Sequence, residues 1–228
     1  MAWIFYVLSP VLIHLVFSEG ITILAGDILD SAACTALSAF LVLPVAIWMY
    51  WQDAGRTVWE SDGVLRHKSS GDAQRADGNK KDRRDAVCGM PRVGWYTVCF
   101  LGGGILNVIW SRLLFLLGVS SAFSNQTQEA LLGSRMAMQV LGPGFLVPIA
   151  EELVFRGLVY RRMRSRLRVR QAAFFSALLF ALYHGNPIQM IYAFPMALFL
   201  ALLCERENSL IGPILFHMGA NLAAILFS

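Results

Sequence analysis

The sequence predicts an all-α fold, a polytopic bundle of about seven membrane-spanning helices, with six to eight as the range. Of its 228 residues, 57% are hydrophobic and 15% are charged, whereas soluble domains average about 45–50% and about 25%. The apolar residues also come in runs long enough to cross a hydrocarbon core about 30 Å thick. Helices are expected because an open strand edge in lipid leaves backbone groups unpaired. This composition excludes a disordered chain and a small secreted disulfide-rich domain.

The N-terminal region, 1–51, contains two predicted spans. The first covers about 3–25, and because no lysine or arginine precedes it, we expect an uncleaved span rather than a signal peptide. The second, 32–51, is uncharged and ends in aromatic residues, which is typical of a membrane interface. His14 lies in the first span, and with the acidic residues of the following loop we expect it to be solvated.

A polar stretch, 52–92, separates these spans from the rest of the bundle, which occupies 93–228. The stretch holds 9 Lys/Arg and 7 Asp/Glu, a composition that cannot bury a core, so we expect a mobile loop. Five further spans are predicted at about 93–119, 136–160, 171–184, 188–204 and 209–227.

The basic residues are distributed as an orientation signal. If the loops 52–92, 161–170 and 205–208 share one side of the membrane, that side holds 16 Lys/Arg and the other holds only Arg135. Cytoplasmic loops are rich in Lys and Arg, so these loops and the N-terminus are predicted to be cytoplasmic. The net charge of +4 therefore reflects topology, and no nucleic-acid partner is expected.

Ionisable residues inside the fourth span need an explanation. Glu151, Glu152 and Arg156 lie in the run 136–160, and each such group at mid-bilayer costs about 2.5–3.5 kcal/mol. Glu152 and Arg156 are four residues apart and can pair on one helix face. Glu151, about 100° around the helix, then has no partner on its own helix. The Gly and Pro residues at 142–148 are expected to loosen the helix just before the acidic pair.

Two further helices carry polar residues at similar depth. His184 follows Phe180 by four residues, and His217 and Asn221 are also four apart. At 1.5 Å per residue, the depths from the cytoplasmic ends are about 15 Å for Glu151, 20 Å for His184, 12 Å for His217 and 18 Å for Asn221. Hydrogen-bonded pairs that hold helices together explain each motif singly, but their common depth predicts one intramembrane site.

This set of side chains suits the activation of water. A carboxylate and an imidazole, Glu151 and His184, can take a proton from water and direct its attack. His217 and Asn221 can donate hydrogen bonds to a developing oxyanion. The same Glu151, His184 and His217 can instead hold zinc or another divalent metal with one position open for water, and the residue types leave both versions open.

The three motifs Glu151-Glu152-x-x-x-Arg156, Phe180-x-x-x-His184 and His217-x-x-x-Asn221 resemble those of the CAAX-protease and bacteriocin-processing (CPBP, or Abi) family of intramembrane endopeptidases. The resemblance covers about 136–228, the predicted catalytic core.

The resemblance implies hydrolysis of a peptide bond in a membrane-associated protein or peptide. The substrates would be CAAX-type proteins, bacteriocins or C-terminal sorting signals, in the bilayer of a bacterial inner membrane. It implies Glu151 and His184 as the water-activating pair, His217 and Asn221 as the oxyanion site, and Glu152, Arg156 and Phe180 as supporting residues. Family members are glutamate-type or metal-dependent, and we favour the mechanism that requires no cofactor.

Two other functions remain compatible with the pattern. A catalytically silent immunity or scaffold protein of the same fold would use the polar set structurally. A proton-coupled transporter also needs buried Glu and His, although no repeated pair of broken helices supports it.

Overall fold

A computed structural model describes residues 2–54, 90–119 and 126–227. The helices in these residues are numbered here α1 to α8. Their bounds are α1 Ala2–Ala25, α2 Ser31–Ala54, α3 Arg92–Leu116, α4 Gln126–Leu132, α5 Met136–Arg164, α6 Val169–Tyr183, α7 Pro187–Glu207 and α8 Ile211–Phe227.

The predicted all-helical bundle is confirmed. Seven apolar helices lie over the seven predicted runs, and α1, α2, α3, α5 and α7 are each long and apolar enough to cross a membrane. The apolar helices α6 and α8 are shorter, with 15 and 17 residues. Helix α2 continues to Ala54 and α3 begins at Arg92. Most of the predicted loop at 52–92 lies outside the described residues. The short helix α4 was not predicted.

Helix α5 occupies the centre of the bundle. It alternates α-helical turns with two wider π-helical segments, Val140–Leu146 and Leu153–Tyr160. Every residue of the second segment is buried. A helix that is covered on all faces must be surrounded by other helices, and α5 contacts α1, α2, α6, α7 and α8. The side chains of this second segment are therefore positioned by packing from all sides.

Helices α3 and α8 pack through glycines. A Cβ atom added at Gly103 would overlap the carbonyl oxygen of Phe216, and one added at Gly219 would overlap that of Phe100. Small residues that let two backbones approach are the usual contact between membrane helices. This contact fixes α8, and therefore His217 beside Phe216, relative to the bundle.

Arginines of the run 161–170 form hydrogen bonds and ion pairs that connect the ends of several helices. Arg162 is buried and donates to Asp53 Oδ2 of α2 at 2.6 Å and to the Tyr6 carbonyl of α1 at 2.5 Å. Arg164 pairs with Glu205 of α7 at 3.0 Å. These contacts place the start of α1 and the ends of α2, α5 and α7 at one end of the bundle.

Candidate active site

The first π-helical segment of α5 opens the backbone beside the acidic pair. The Val147 N–H bonds the Gly142 carbonyl, five residues back, and the next donor in that register is absent because residue 148 is proline. The Pro143 carbonyl is consequently left without a backbone donor. Asn221 of α8 supplies one, with Nδ2 at 2.8 Å. The helix is loosened before the acidic pair as predicted, and the carbonyl that this frees is the one through which α5 binds Asn221.

Glu152 is the centre of a buried ion network. Its carboxylate is fully buried, and Oε1 accepts from Arg156 Nη1 and from His217 Nδ1, both at 2.8 Å. Arg156 Nη2 also donates to the Ala197 carbonyl at 3.2 Å. Its guanidinium carbon lies 4.6 Å from the centre of the Phe180 ring. The structure thus has the predicted Glu152–Arg156 pair and adds His217 to it.

Glu151 lies on the other side of the His217 ring. Its Oε2 is 3.7 Å from His217 Nε2, a spacing longer than a direct hydrogen bond. The Glu151 side chain is 7% exposed. One carboxylate therefore holds the imidazole through Nδ1, and the other faces the opposite ring nitrogen.

His184 is positioned by the end of α6. Its backbone N–H bonds the Ala181 carbonyl, and Gly185 has a positive φ of 65° that ends the helix. The last carbonyls of a helix need other donors, and His184 Nδ1 donates to the Phe180 carbonyl at 2.9 Å. In a neutral ring, Nε2 is then the acceptor.

Phe180 brings the two predicted histidines to one place. The centre of its ring lies 4.8 Å from that of His184 and 6.0 Å from that of His217. Because Arg156 stacks on the same ring, the ion network and His184 share this aromatic wall.

The proposed metal ligands do not converge on a metal position. Among the residues that the structure describes, no three His, Cys, Asp or Glu side chains form a group that could hold an ion. Glu151 and His217 approach each other, whereas His184 is linked to them through the Phe180 ring. This donor arrangement does not fit zinc, which takes three or four ligands at about 2.0–2.3 Å.

Sequence reasoning missed two residues beside this site. His14 of α1 is 4% exposed rather than solvated, and its Nδ1 is hydrogen-bonded to the hydroxyl of Tyr183. The Tyr183 ring packs edge-on against the rings of His14, Phe155 and His184. The signal for His14 was its place at the middle of the first apolar run.

Comparison with known families matches residues 133–223 to the model described as "Type II CAAX prenyl endopeptidase Rce1-like". The matched segment is less than half of the chain. It contains every residue of the predicted site, whereas His14 lies outside it. No curated protein and no solved structure matches the chain.

Proposed function

We propose that residues 133–223, which match the model described as "Type II CAAX prenyl endopeptidase Rce1-like", form a domain of that type, and that the protein is an endopeptidase acting within the membrane. The proposed substrate is a membrane-associated protein or peptide. The observation that carries the proposal is the buried Glu151 carboxylate facing a ring nitrogen of His217 at 3.7 Å. A carboxylate that is buried among apolar helices, with no direct hydrogen bond to another described residue, is suited to take a proton.

In the proposed reaction, Glu151 removes a proton from a water molecule that also donates to Nε2 of His184. The water oxygen bonds to the peptide carbonyl carbon, and the carbonyl oxygen becomes negative. His217 in its doubly protonated form keeps its bond to Glu152 and donates Nε2–H to this oxyanion. When the C–N bond breaks, Glu151 passes the proton to the departing amine. The products are a carboxylic acid and a shortened peptide with a free amine.

The test uses the purified protein in lipid nanodiscs and three peptides. One ends in S-farnesylcysteine followed by three residues, one carries a bacteriocin-type leader, and one carries a C-terminal sorting signal. Cleavage of at least one peptide is expected, and Glu151→Gln should abolish it. Glu129→Gln makes the same chemical change at an exposed position of α4 and should retain activity. Full activity of Glu151→Gln contradicts the proposal, and so does the absence of cleavage in all three.

We also propose that the reaction proceeds without a metal. The support is the lack of convergence of Glu151, His184 and His217 on one ligand position. Activity should persist in EDTA and in 1,10-phenanthroline. Loss of activity under chelation that added zinc restores would overturn this mechanism.

Asn221 is proposed to serve both structure and chemistry. One Nδ2 hydrogen is used on the Pro143 carbonyl, and an amide nitrogen carries a second, which is assigned to the oxyanion. Asn221→Ala should therefore lower both stability and kcat. In a Pro148→Ala background, a backbone N–H is restored, so Asn221→Ala should cost less stability while kcat stays low. Recovery of kcat together with stability would restrict Asn221 to a structural role.

A catalytically silent scaffold is the second candidate. It is favoured by the structural partners of Glu152, Arg156 and Asn221, which need no reaction to explain them. In that case His184→Ala would lower the unfolding temperature and leave the biological phenotype intact.

The orientation is likewise proposed. We place the end of the bundle that carries Arg162 and Arg164 in the cytoplasm, since it adjoins the basic loops. Single cysteines at the exposed positions Arg168 and Asp27 should react with a membrane-impermeant thiol reagent only from the cytoplasmic and the outer side, respectively. The opposite pattern would invert the topology.

A further inference from the structure

His14 has one ring nitrogen satisfied and the other unpartnered. The side chain is 4% exposed, and Nδ1 bonds the hydroxyl of Tyr183. Nε2 is buried and has no hydrogen-bond partner among the described residues. Leaving a buried polar nitrogen unpaired costs about 1–3 kcal/mol, so a ligand or a water at Nε2 is expected.

The hydrogen bond of Tyr183 determines which nitrogen of His14 carries the proton. Among the described residues, His14 Nδ1 is the hydrogen-bond partner of the phenol hydroxyl. A phenol has one hydrogen to donate. Because His14 Nδ1 is the partner of the hydroxyl, that hydrogen is directed at Nδ1, and the neutral ring then carries its proton on Nε2. The unpartnered nitrogen is consequently a donor.

This donor lies beside the proposed reaction centre. His14 interacts electrostatically with both Glu151 and His184, and Tyr183 interacts with Glu151. The Tyr183 and His184 rings are 5.8 Å apart and perpendicular. Glu151 is the carboxylate that interacts with His14, so it is the negative acceptor available to an Nε2–H group.

We propose that His14 is a positioning residue of the active site, whose Nε2–H donates to the Glu151 carboxylate through one water. The hydrogen bond from the Tyr183 hydroxyl holds the ring in the required tautomer. The bond orients the carboxylate so that its other oxygen faces the attacking water. The inference rests on the proposed function, because it gives Glu151 the role of base.

Two amide variants separate this role from packing. Asn places its amide near the position of Nδ1 and can keep the bond to Tyr183, whereas Gln places its NH₂ near the position of Nε2. His14→Asn should lower kcat about tenfold or more, with KM and the unfolding temperature near those of the wild type. His14→Gln should stay within about threefold of the wild-type kcat. Val11→Ala, a buried change one turn away on α1, controls for loosened packing.

A double variant tests the tautomer. Tyr183→Phe keeps the ring but removes the hydroxyl, so it should lower kcat severalfold. In the His14→Gln background the same change should have little further effect, because the Gln amide needs no tautomer. Equal kcat for His14→Asn and His14→Gln would overturn the inference, as would full additivity of Tyr183→Phe with His14→Gln.

The assay is cleavage of the peptide found to be processed in nanodiscs, with Glu151→Gln measured beside each variant. If Glu151→Gln remains active, the proposed function itself fails. If Glu151→Gln is inactive and His14→Asn is fully active, only the role of His14 fails. A loss in His14→Asn that merely follows its unfolding temperature, as Val11→Ala would show, assigns the residue to packing.

Discussion

Replacing Arg156 by Met should destabilise the protein more than any other single change to its arginines. The guanidinium is 1% exposed and neutralises a Glu152 carboxylate that is 0% exposed. In the Arg156→Met variant, that carboxylate keeps His217 as its one remaining partner among the described residues. Water cannot solvate the unpaired Glu152 carboxylate, because the whole second π-helical segment around Arg156 is buried.

The magnitude follows from those contacts. Removing one partner of a buried ion pair costs about 3–5 kcal/mol, since a charge is left uncompensated. The lost bond to the Ala197 carbonyl and the lost stacking on Phe180 are each worth about 1 kcal/mol and overlap with that term. We expect about 4 kcal/mol for Arg156→Met. The double variant Glu152→Gln/Arg156→Met carries no unpaired charge and should lose only about 1–2 kcal/mol.

The assay is reversible unfolding in mixed micelles, with the free energy of unfolding measured for both single variants and the double variant. The two sites should couple by at least about 2–3 kcal/mol, because the double variant loses that much less than Arg156→Met alone and any loss in Glu152→Gln adds to the coupling. Arg112→Met, at an exposed position of α3, should change the free energy by less than about 0.5 kcal/mol. A loss below about 1 kcal/mol in Arg156→Met, or additive single effects, would refute the reasoning.

Two further predictions concern packing away from the site, measured by the same unfolding assay. Gly103→Ala should cost about 1–3 kcal/mol of unfolding free energy, because the new Cβ would overlap the Phe216 carbonyl. The control Gly20→Ala, with no atom within 4 Å of the new Cβ, should be neutral or stabilising. Equal effects of the two changes would refute the close approach of α3 and α8. Arg162→Gln should cost about 3 kcal/mol of unfolding free energy, since the side chain is buried in an ion pair. Arg166→Gln, at an exposed position, should cost under about 1 kcal/mol. The reverse order would show that the arginines of the run 161–170 act only through their charge.

The helices were predictable because hydrophobic runs and their polar boundaries are local signals. The i,i+4 spacing also anticipated the contact between Glu152 and Arg156. What sequence did not indicate was the bond from Glu152 to His217, 65 residues away, because it depends on how α8 is docked by glycines. Register between helices is a property of packing, and spacing along one helix carries no information about it.

His14 was misread for a different reason. Depth was the criterion that selected Glu151 and His184, and the same count places His14 12 residues into α1, about 18 Å from its start. Its neighbours in sequence near the following loop suggested solvation. Applied to every span, the depth criterion would have selected His14 as well, because a polar residue at mid-membrane needs a buried partner. That partner is Tyr183.

Proline explains a second feature that spacing could not show. Pro10 has no N–H for the Tyr6 carbonyl four residues earlier, and Arg162 donates to that oxygen instead. The Pro143 carbonyl, deprived of a donor by Pro148, is bonded by Asn221 in the same way. In each case a side chain from a distant helix satisfies a carbonyl that lipid could not. The sequence shows where a proline removes an N–H donor, but only the fold shows which side chain replaces that donor.

The three histidines of the site are held alike, and this has a chemical consequence. Each is anchored through Nδ1, to the Phe180 carbonyl for His184, to Glu152 for His217 and to Tyr183 for His14. A hydrogen bond at Nδ1 fixes the plane of each ring, so that Nε2 is the nitrogen available to other partners. A carbonyl or carboxylate partner makes Nε2 an acceptor in the neutral ring, whereas a donating phenol makes it a donor. In the proposed mechanism, the neutral rings of His184 and His14 therefore have opposite hydrogen-bonding character at Nε2. His184 accepts from the attacking water on one side of Glu151, and His14 orients the carboxylate from the other. His217 differs from both, because in its doubly protonated form it donates Nε2–H to the oxyanion.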